Sequence, residues 1–352
     1  MRRKLIFLLT ALMLIQAVLI PLTASAHEVY VLDSQQIADA ISTPSPNPFS
    51  AIPTEGKLFL IWALITTVAF LLVLTASISP LFERVCDPFL LRLKKYAPLA
   101  GRLTFGISLF ASGYFGSLFG PELPLSAIAS PSVVHVLGII FMIAGISICL
   151  GFLTRIITLL GICLFVYAAS IYHWYMFTYL SYLGEMILFF ILGGGTWSLD
   201  RAIPALVSVE NIFRHAGTFL AKHSFLIMRI LFGITIVFSS IYSKFIHSNL
   251  ALQTIEQYHL TQYFHFSPMF LVMGACIIEI LIGICIAVGF EIRFMTLVFT
   301  VFLTMSLIFF GEVVWPHLIL FGVNITLFLH GYDEYTLEKV LFEKTRRGEP
   351  VL

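Results

Sequence analysis

The chain has 352 residues, of which 59% are hydrophobic and only 11% charged. A soluble domain carries about 25% charged residues, so most of this chain cannot present a water-soluble surface. The formal net charge of +1 excludes the broad basic surface by which nucleic acid is bound. The composition predicts an all-α, polytopic membrane protein whose main partner is the lipid bilayer.

The N-terminus has the pattern of a secretory signal. Arg2, Arg3 and Lys4 precede an apolar run over residues 5–22, and Ala24-Ser25-Ala26 follows it. A basic segment, an apolar core and an A-x-A sequence are the three parts of a cleavable signal peptide. We therefore predict a signal peptide over residues 1–26, with an uncleaved signal anchor as the alternative.

The next segment, residues 27–56, contains four prolines and no Lys or Arg. Such a composition is typical of a segment that lies outside the hydrocarbon core. We predict that it is extracytoplasmic and partly disordered.

Nine apolar runs follow, each long enough or nearly so to cross a bilayer as a helix of roughly 20 residues. They lie near residues 57–78, 99–118, 132–153, 156–174, 178–194, 225–244, 267–289, 293–311 and 314–330.

The basic residues orient these spans. Fifteen Lys and Arg residues fall on one predicted side of the membrane, whereas Lys57 and Lys244 fall on the other. Because cytoplasmic loops are enriched in Lys and Arg, the mature N-terminus is predicted outside and the C-terminus in the cytoplasm. The predicted location is the plasma membrane.

Two stretches of the chain resemble each other, residues 99–203 and residues 226–341. A constant offset of 138 residues aligns Gly145 with Gly283 and Arg155 with Arg293, among other positions. Each stretch holds four spans, so the two units are predicted as parallel repeats about an axis normal to the membrane. The predicted division is 1–26, 27–56, 57–98 (an extra transmembrane helix and loop), 99–203, 204–225 (a linker), 226–341 and 342–352 (a tail).

Short motifs stand in a characteristic order, most of them in the second unit and the last of them in the first. The second unit has Arg229 and Gly233, then Ser243-Lys244-Phe245, then Glu279 and Gly283, then Gly289 and Arg293. The first unit ends on Gly193-Gly194-Gly195-Thr196-Trp197-Ser198-Leu199-Asp200. This order resembles the DoxX family of four-helix membrane proteins, and the resemblance implies two DoxX-like bundles in tandem. The positions that carry the family motif are Arg102, Gly283, Gly289, Arg293, Ser198 and Asp200.

The two units depart from the family pattern at different places. The first has Ser117 near the position of the motif lysine and Phe141 at that of the glutamate. The second has residues 332–337 where the Ser-Leu-Asp signature is expected. Either one composite site is shared between the units, or the units drifted apart after duplication.

Five polar residues stand within or beside the predicted spans: Glu279, Lys244, Arg229, Glu185 and Asn324. A charged group at this depth costs roughly 3 kcal/mol on insertion scales, so Glu279 must face the bundle, either paired or protonated. One interpretation is a hydrogen-bond network that fixes helix register. The other is a proton-linked site or a quinone-headgroup site.

Weak candidates for metal ligands are His27, His259, His265 and His317. A free N-terminal His27 would join an amine to an imidazole, an arrangement that chelates copper. The competing interpretation is that histidines suit the headgroup region. No cofactor motif is evident, and a quinone, or copper or another metal, stays open as a ligand.

By resemblance, the chain is a membrane subunit associated with respiratory or redox complexes, in some relatives linked to quinone. It would be at most a membrane subunit of an oxidoreductase, with a redox or respiratory protein as partner. Two alternatives stay open. One is a small-solute or ion carrier that uses Glu279, Glu185 and Lys244; the other is a scaffold that holds an extracytoplasmic partner through residues 27–56. The oligomeric state stays open.

Overall fold

The computed structural model of the protein describes residues 32, 34–77, 87–195, 197–203, 220–310 and 314–342. Over these residues the chain is built from helices and contains no strand. The predicted signal peptide, His27, most of the linker and most of the C-terminal tail lie outside the described residues.

The first half of the chain contains seven labelled helices. They are α1 (Ser34–Ser42), α2 (Ile52–Ser77), α3 (Asp87–Lys94), α4 (Ala97–Phe115), α5 (Pro131–Leu150), α6 (Thr154–Tyr172) and α7 (Leu180–Leu192). A 3-10 helix, His173–Tyr179, joins α6 to α7. A single turn of helix, Leu199–Ala202, follows α7.

The second half contains six more helices. They are α8 (Ser224–Ser240), α9 (Ser248–Gln257), α10 (Pro268–Val288), α11 (Ile292–Phe310), α12 (Leu318–His330) and α13 (Leu337–Phe342). A π-helical turn, Ile241–Ile246, extends α8, and a 3-10 turn, Trp315–His317, precedes α12.

The long helices have the length and composition that a bilayer requires. Among the described residues, six continuous helical stretches are long and apolar enough to cross a membrane, and the shorter Trp315–His330 is also apolar. The stretch Thr154–Leu192 contains both α6 and α7. The prediction of an all-α, polytopic membrane protein is confirmed.

The segment before α2 is more ordered than its composition predicted. Residues 34–42 form α1, and Leu32 and Ala40 pack against Leu250 of α9. The amide of Asn249 donates to the carbonyls of Thr43 (3.1 Å) and Pro44 (3.4 Å). The expectation of partial disorder was therefore wrong for this part, because α9 supplies the apolar surface that the segment lacks by itself.

Helix boundaries repeat at the offset found in the sequence. Adding 138 to the bounds of α6 gives those of α11, and the same step converts α7 into α12. Left-handed backbone recurs as well, at Leu153 (φ 51°) and Glu291 (φ 48°). The superposition of the units about an axis normal to the membrane stays a prediction.

Glycines allow the first two helices of each unit to touch. A Cβ added at Gly106 of α4 would lie 2.7 Å from the carbonyl oxygen of Gly145 on α5. A Cβ at Gly283 of α10 would lie 2.8 Å from that of Gly233 on α8. Small residues at both positions permit the close backbone approach by which helices associate in lipid.

The last helix of each unit packs mainly against the first helix of the other unit. Gly184 of α7 faces Met228 of α8, and Gly322 of α12 faces Thr104 of α4. The apolar core consequently runs through both units without a break. Helix α2 lies at the edge of this core: none of its most apolar stretch is buried, although its Phe70 packs against the core.

Candidate functional site

We call the end of the bundle that holds Arg102 and Arg229 the arginine end, and the opposite end the cavity end. In the second unit, Arg229 of α8 is 1% exposed. Its Nη2 donates to the carbonyl of Tyr335 (3.0 Å), and its Nε to that of Ala287 (3.3 Å). Its Nη1 lies 3.7 Å from Asp333 Oδ1. Arg229 thus binds the segment after α12 and is placed away from Glu279.

Arg102 of α4 binds the segment after the last helix of the first unit in a similar way. Its two terminal nitrogens donate to the carbonyls of Gly194 and Trp197, which follow α7. Gly151 and Gly289 lie beside these arginines with positive φ (67° and 73°), and a side chain at either position would meet the guanidinium. Arg102 and Gly289, two of the positions that carry the family motif, therefore act at the arginine end by fixing chain turns.

The Ser-Leu-Asp signature has a counterpart in the second unit that lies later than the sequence analysis placed it. The backbone N–H of Asp200 donates to Gly151 O (2.9 Å), and that of Glu338 donates to Gly289 O (3.1 Å). Ser198 Oγ donates to Gly195 O, and Thr336 Oγ1 donates to Asp333 O, both at 2.8 Å. The equivalent sequence is thus Thr336-Leu337-Glu338, a conservative change rather than a loss.

The carboxylate of Asp200 caps the start of α6. It accepts from the backbone N–H of Leu153 (2.6 Å) and of Thr154 (3.1 Å). Arg293, another motif position, donates to Phe328 O (3.3 Å). These are structural contacts, because each satisfies backbone groups that the end of a helix leaves without a partner.

Asp333 is the acid that completes the arginine end of the second unit. It lies 3.7 Å from Arg229 and 3.5 Å from His330 Nε2. Burial acts to raise the pKa of Asp333, but the neighbouring His330 and Arg229 outweigh it, so that this pKa lies below its ordinary value. Asp333 is therefore held ionised beside the arginine.

A cavity of about 90 Å³ lies at the other end of the bundle, between the two units. The first unit contributes Tyr175, Thr178 and Tyr182, and the second contributes Ser239 and Tyr242, among others. Roughly 10–15 Å³ of such volume holds one water, so the cavity has room for a small molecule. It is smaller than the sites of drug-sized ligands, which measure about 300–1,000 Å³.

The carboxyl of Glu279 lines this cavity and forms an ion pair behind it. Lys244 Nζ lies 3.1 Å from Glu279 Oε2, and both side chains are about nine-tenths buried. Lys244 belongs to the π-helical turn Ile241–Ile246. A π-turn is wider than an α-turn and often marks a functional site. His317, which is 2% exposed, lines the same cavity.

Glu185 and Asn324 lie elsewhere in the core. Neither belongs to the described lining of the cavity, and both are at most 1% exposed. No described protein group forms a hydrogen bond with their side chains. The structure thus brings together Glu279 and Lys244 of the five polar candidates, with His317 beside the same cavity.

The metal candidates are not gathered into one site. His259 and His265 are exposed, whereas His317 is buried. Over the part of the chain that the structure describes, no group of three or more His, Cys, Asp or Glu side chains is arranged to hold a metal. His27 lies outside that part.

Comparison with known families gives one finding. A family model described as DoxX matches residues 224–312, which cover α8 to α11 of the second unit. The chain therefore contains a DoxX domain. The family model detects one such domain and not a tandem. The first unit is related to this domain by helix bounds that differ by a constant 138 residues. No curated protein and no solved structure matches the chain.

Proposed function

We propose that this DoxX-domain membrane protein is a ligand-binding membrane subunit of a redox or respiratory assembly, and that it binds a quinone-type headgroup in the cavity between its two units. The observation that supports this function is the ion pair Lys244–Glu279 at the cavity wall. Burying a charged pair in a membrane costs free energy, and packing the helices together does not require charged side chains.

The chemistry of the lining suits a small ring with polar edges. Phe299, Phe302 and Tyr179 supply aromatic surface, against which a flat ring packs well. Hydroxyl groups stand on both sides, at Tyr242 of the second unit and at Tyr175 of the first, whose O–H donates to Glu122 in the described structure (3.3 Å). A quinone has two carbonyl oxygens that accept hydrogen bonds, and hydroxyl groups can donate to them.

The test is a binding titration of the purified, detergent-solubilised chain with a short-chain, water-soluble quinone, followed by calorimetry. The wild-type chain should bind with a stoichiometry near one. Ser239→Phe places a ring in the cavity and should abolish binding. Ser170→Phe is the matched control, because Ser170 is an exposed serine on α6 and not part of the described cavity lining. Equal binding by both variants would contradict the proposal.

A carrier of a small solute or ion is the second candidate, and one observation favours it: a charged group lines a cavity between two repeated units, as in many transporters. Proteoliposomes loaded with a pH indicator would separate the two functions. A carrier of this kind should move protons or a charged solute in a Glu279-dependent way. A redox subunit should bind quinone without net transport.

We further propose that the arginine end faces the cytoplasm and the cavity end faces outward across the plasma membrane. The Lys and Arg asymmetry supports this orientation. A reporter enzyme fused after residue 352 should be active only in the cytoplasm. Activity only outside would reverse the orientation.

A further inference from the structure

Glu185 of α7 is the most deeply buried acid of the core that the cavity does not explain. It is 0% exposed, and it lies where α7 meets α4 and α12. A Cβ added at Gly101 of α4 would be 3.2 Å from Glu185 Oε1, and one added at Gly322 of α12 would be 3.4 Å from it. Both glycines thus lie beside this carboxyl, and each also makes room for a threonine hydroxyl, that of Thr326 at Gly101 and that of Thr104 at Gly322.

The equivalent place in the other half is apolar. Glu185 corresponds to Val323 at the offset of 138, and Gly101 corresponds to Met228, since Arg102 corresponds to Arg229. Val323 and Met228 are each 0% exposed. The fold therefore fills this junction with hydrocarbon in one half and with a carboxyl in the other. Packing alone does not require an acid there.

The surroundings offer the carboxyl no counter-charge. Neither oxygen has a hydrogen bond from any described protein group. The arginines of α4 and α8, Arg102 and Arg229, are committed to carbonyls at the arginine end. The hydroxyls of Thr104 on α4 and Thr326 on α12 lie beside the same two glycines as the carboxyl. An ionised carboxylate buried in this way is costly, and the neutral acid is the form that such a site tolerates.

One ionisable neighbour connects Glu185 to the cavity. Tyr182 lies one turn earlier on α7, interacts electrostatically with Glu185, and lines the cavity. Its phenol oxygen is buried and has no hydrogen-bond partner among the described protein groups. Side chains three residues apart on a helix are neighbours, so the Tyr182 side chain adjoins both the buried acid and the cavity.

We propose that Glu185 is a proton-binding site: a carboxylic acid that is neutral in the resting protein and exchanges its proton with the cavity through Tyr182. The exchange is a transfer of a proton alone: the carboxyl gives its proton to the Tyr182 hydroxyl oxygen as that hydroxyl passes its own proton to the cavity, and the return reverses both transfers, with no redox change. The inference deepens the proposed function, since a ligand that takes up or releases protons in the cavity would draw on this group.

Infrared spectroscopy of the purified protein without ligand tests the site. The wild-type chain at neutral pH should show the C=O stretch of a protonated carboxyl, and Glu185→Gln should lack it. On transfer to D2O the band should shift as the proton exchanges. Tyr182→Phe should keep the band but slow its shift several-fold. Tyr167→Phe, which removes the hydroxyl of an exposed tyrosine on α6, should leave the rate unchanged.

A second variant guards against misfolding. Glu185→Val gives this position the residue of the other half and adds no bulk at Gly101, where a Cβ would lie 2.7 Å from Thr326 Oγ1, so it should fold and lose the band. A band that is identical in wild type and this variant would overturn the proposal. So would a band that never exchanges, or one that exchanges equally fast without the Tyr182 hydroxyl. The infrared experiment uses no ligand, so its result does not depend on whether the protein binds quinone. A failure of the infrared prediction would likewise not contradict quinone binding.

Discussion

The two halves of the membrane bundle agree at one end and differ at the other. At the arginine end, Arg102 and Arg229 each bind carbonyls of the segment after the last helix of their unit. In the second unit, the pair Lys244–Glu279 lines the cavity end. The first unit has Ser117 and Phe141 at the corresponding positions. The half that holds the ion pair contains the detected DoxX domain.

This comparison distinguishes the polar residues that the fold requires from those that it does not require. A feature that occurs twice, with the same donors and acceptors, is sufficiently explained by closing helix ends. A charged group that occurs once, at a place where the other half packs hydrocarbon, has no such explanation and costs energy in a membrane. On this reasoning the motif arginines are structural, and Glu279, Lys244 and Glu185 are the candidates for chemistry.

The largest effect is expected from removing a shared contact. Arg229→Ala should lower the free energy of unfolding by about 4–5 kcal/mol, near the upper end for the loss of one partner of a buried pair. Two carbonyls lose their donor, and Asp333 is left without its counter-charge. Equilibrium unfolding in detergent measures this change in the free energy of unfolding.

Arg102→Ala should also destabilise the first half, because two carbonyls lose their donor, but by less than Arg229→Ala, because the described contacts of Arg102 include no ion pair like that of Arg229 with Asp333. Arg201→Ala is the control, since Arg201 is exposed. If only one of the two arginine substitutions lowered the free energy of unfolding, the two halves would not be stabilised in the same way.

A smaller effect is expected where the halves differ. Glu279→Gln removes the carboxylate charge that lies 3.1 Å from the buried Lys244 ammonium and should cost about 3 kcal/mol of unfolding free energy. The double variant Lys244→Met/Glu279→Leu removes both charges and should recover most of that stability while losing ligand binding. A double variant as unstable as the single one would show that the pair is needed for the fold.

The close approach of helices can be tested next. Gly283→Ala brings a Cβ to 2.8 Å from the carbonyl oxygen of Gly233, and such overpacking should cost about 1–3 kcal/mol. Gly274→Ala on the same helix α10 is the matched control, because a Cβ there meets no atom within 4 Å. The control should be neutral or more stable, since alanine favours helix over glycine by about 1 kcal/mol.

Much of the fold was accessible from the sequence. Apolar runs located the long helices because lipid imposes both their length and their composition. The offset of 138 residues located the equivalent glycines, since Gly151 and Gly289 need a left-handed backbone at the same point of each unit. Glu279 was expected to face the bundle on energetic grounds, and the structure places it beside Lys244.

Other features depend on contacts between distant segments and could not be found in this way. The π-helical turn that holds Lys244 leaves no clear periodicity in six residues. The last helix of each unit packs against the first helix of the other unit, α7 against α8 and α12 against α4. This pairing depends on which apolar faces meet, and the sequence does not distinguish faces that are alike in composition. Thr336-Leu337-Glu338 differs from Ser198-Leu199-Asp200 at two of its three positions, so the motif letters alone do not reveal a match that the offset of 138 gives.

The smallest effect concerns a connection that the halves do not share. In the second unit α9 lies between α8 and α10, whereas the first unit has only the turn Leu125–Ala127 between α4 and α5. Helix α1 docks on α9, and Asn249 donates to the carbonyls of Thr43 and Pro44.

Asn249→Ala should remove these hydrogen bonds and release α1 with a cost of about 1 kcal/mol, because the carbonyls then bind water. Hydrogen exchange of residues 34–42 should become faster, while exchange in α8 and α10 stays the same. The control is Gln262→Ala, which truncates an exposed amide in the same connection. Faster exchange throughout the second unit would mean that α1 is part of its core; unchanged exchange in α1 would mean that Leu32 and Ala40, packed on Leu250, hold it without Asn249.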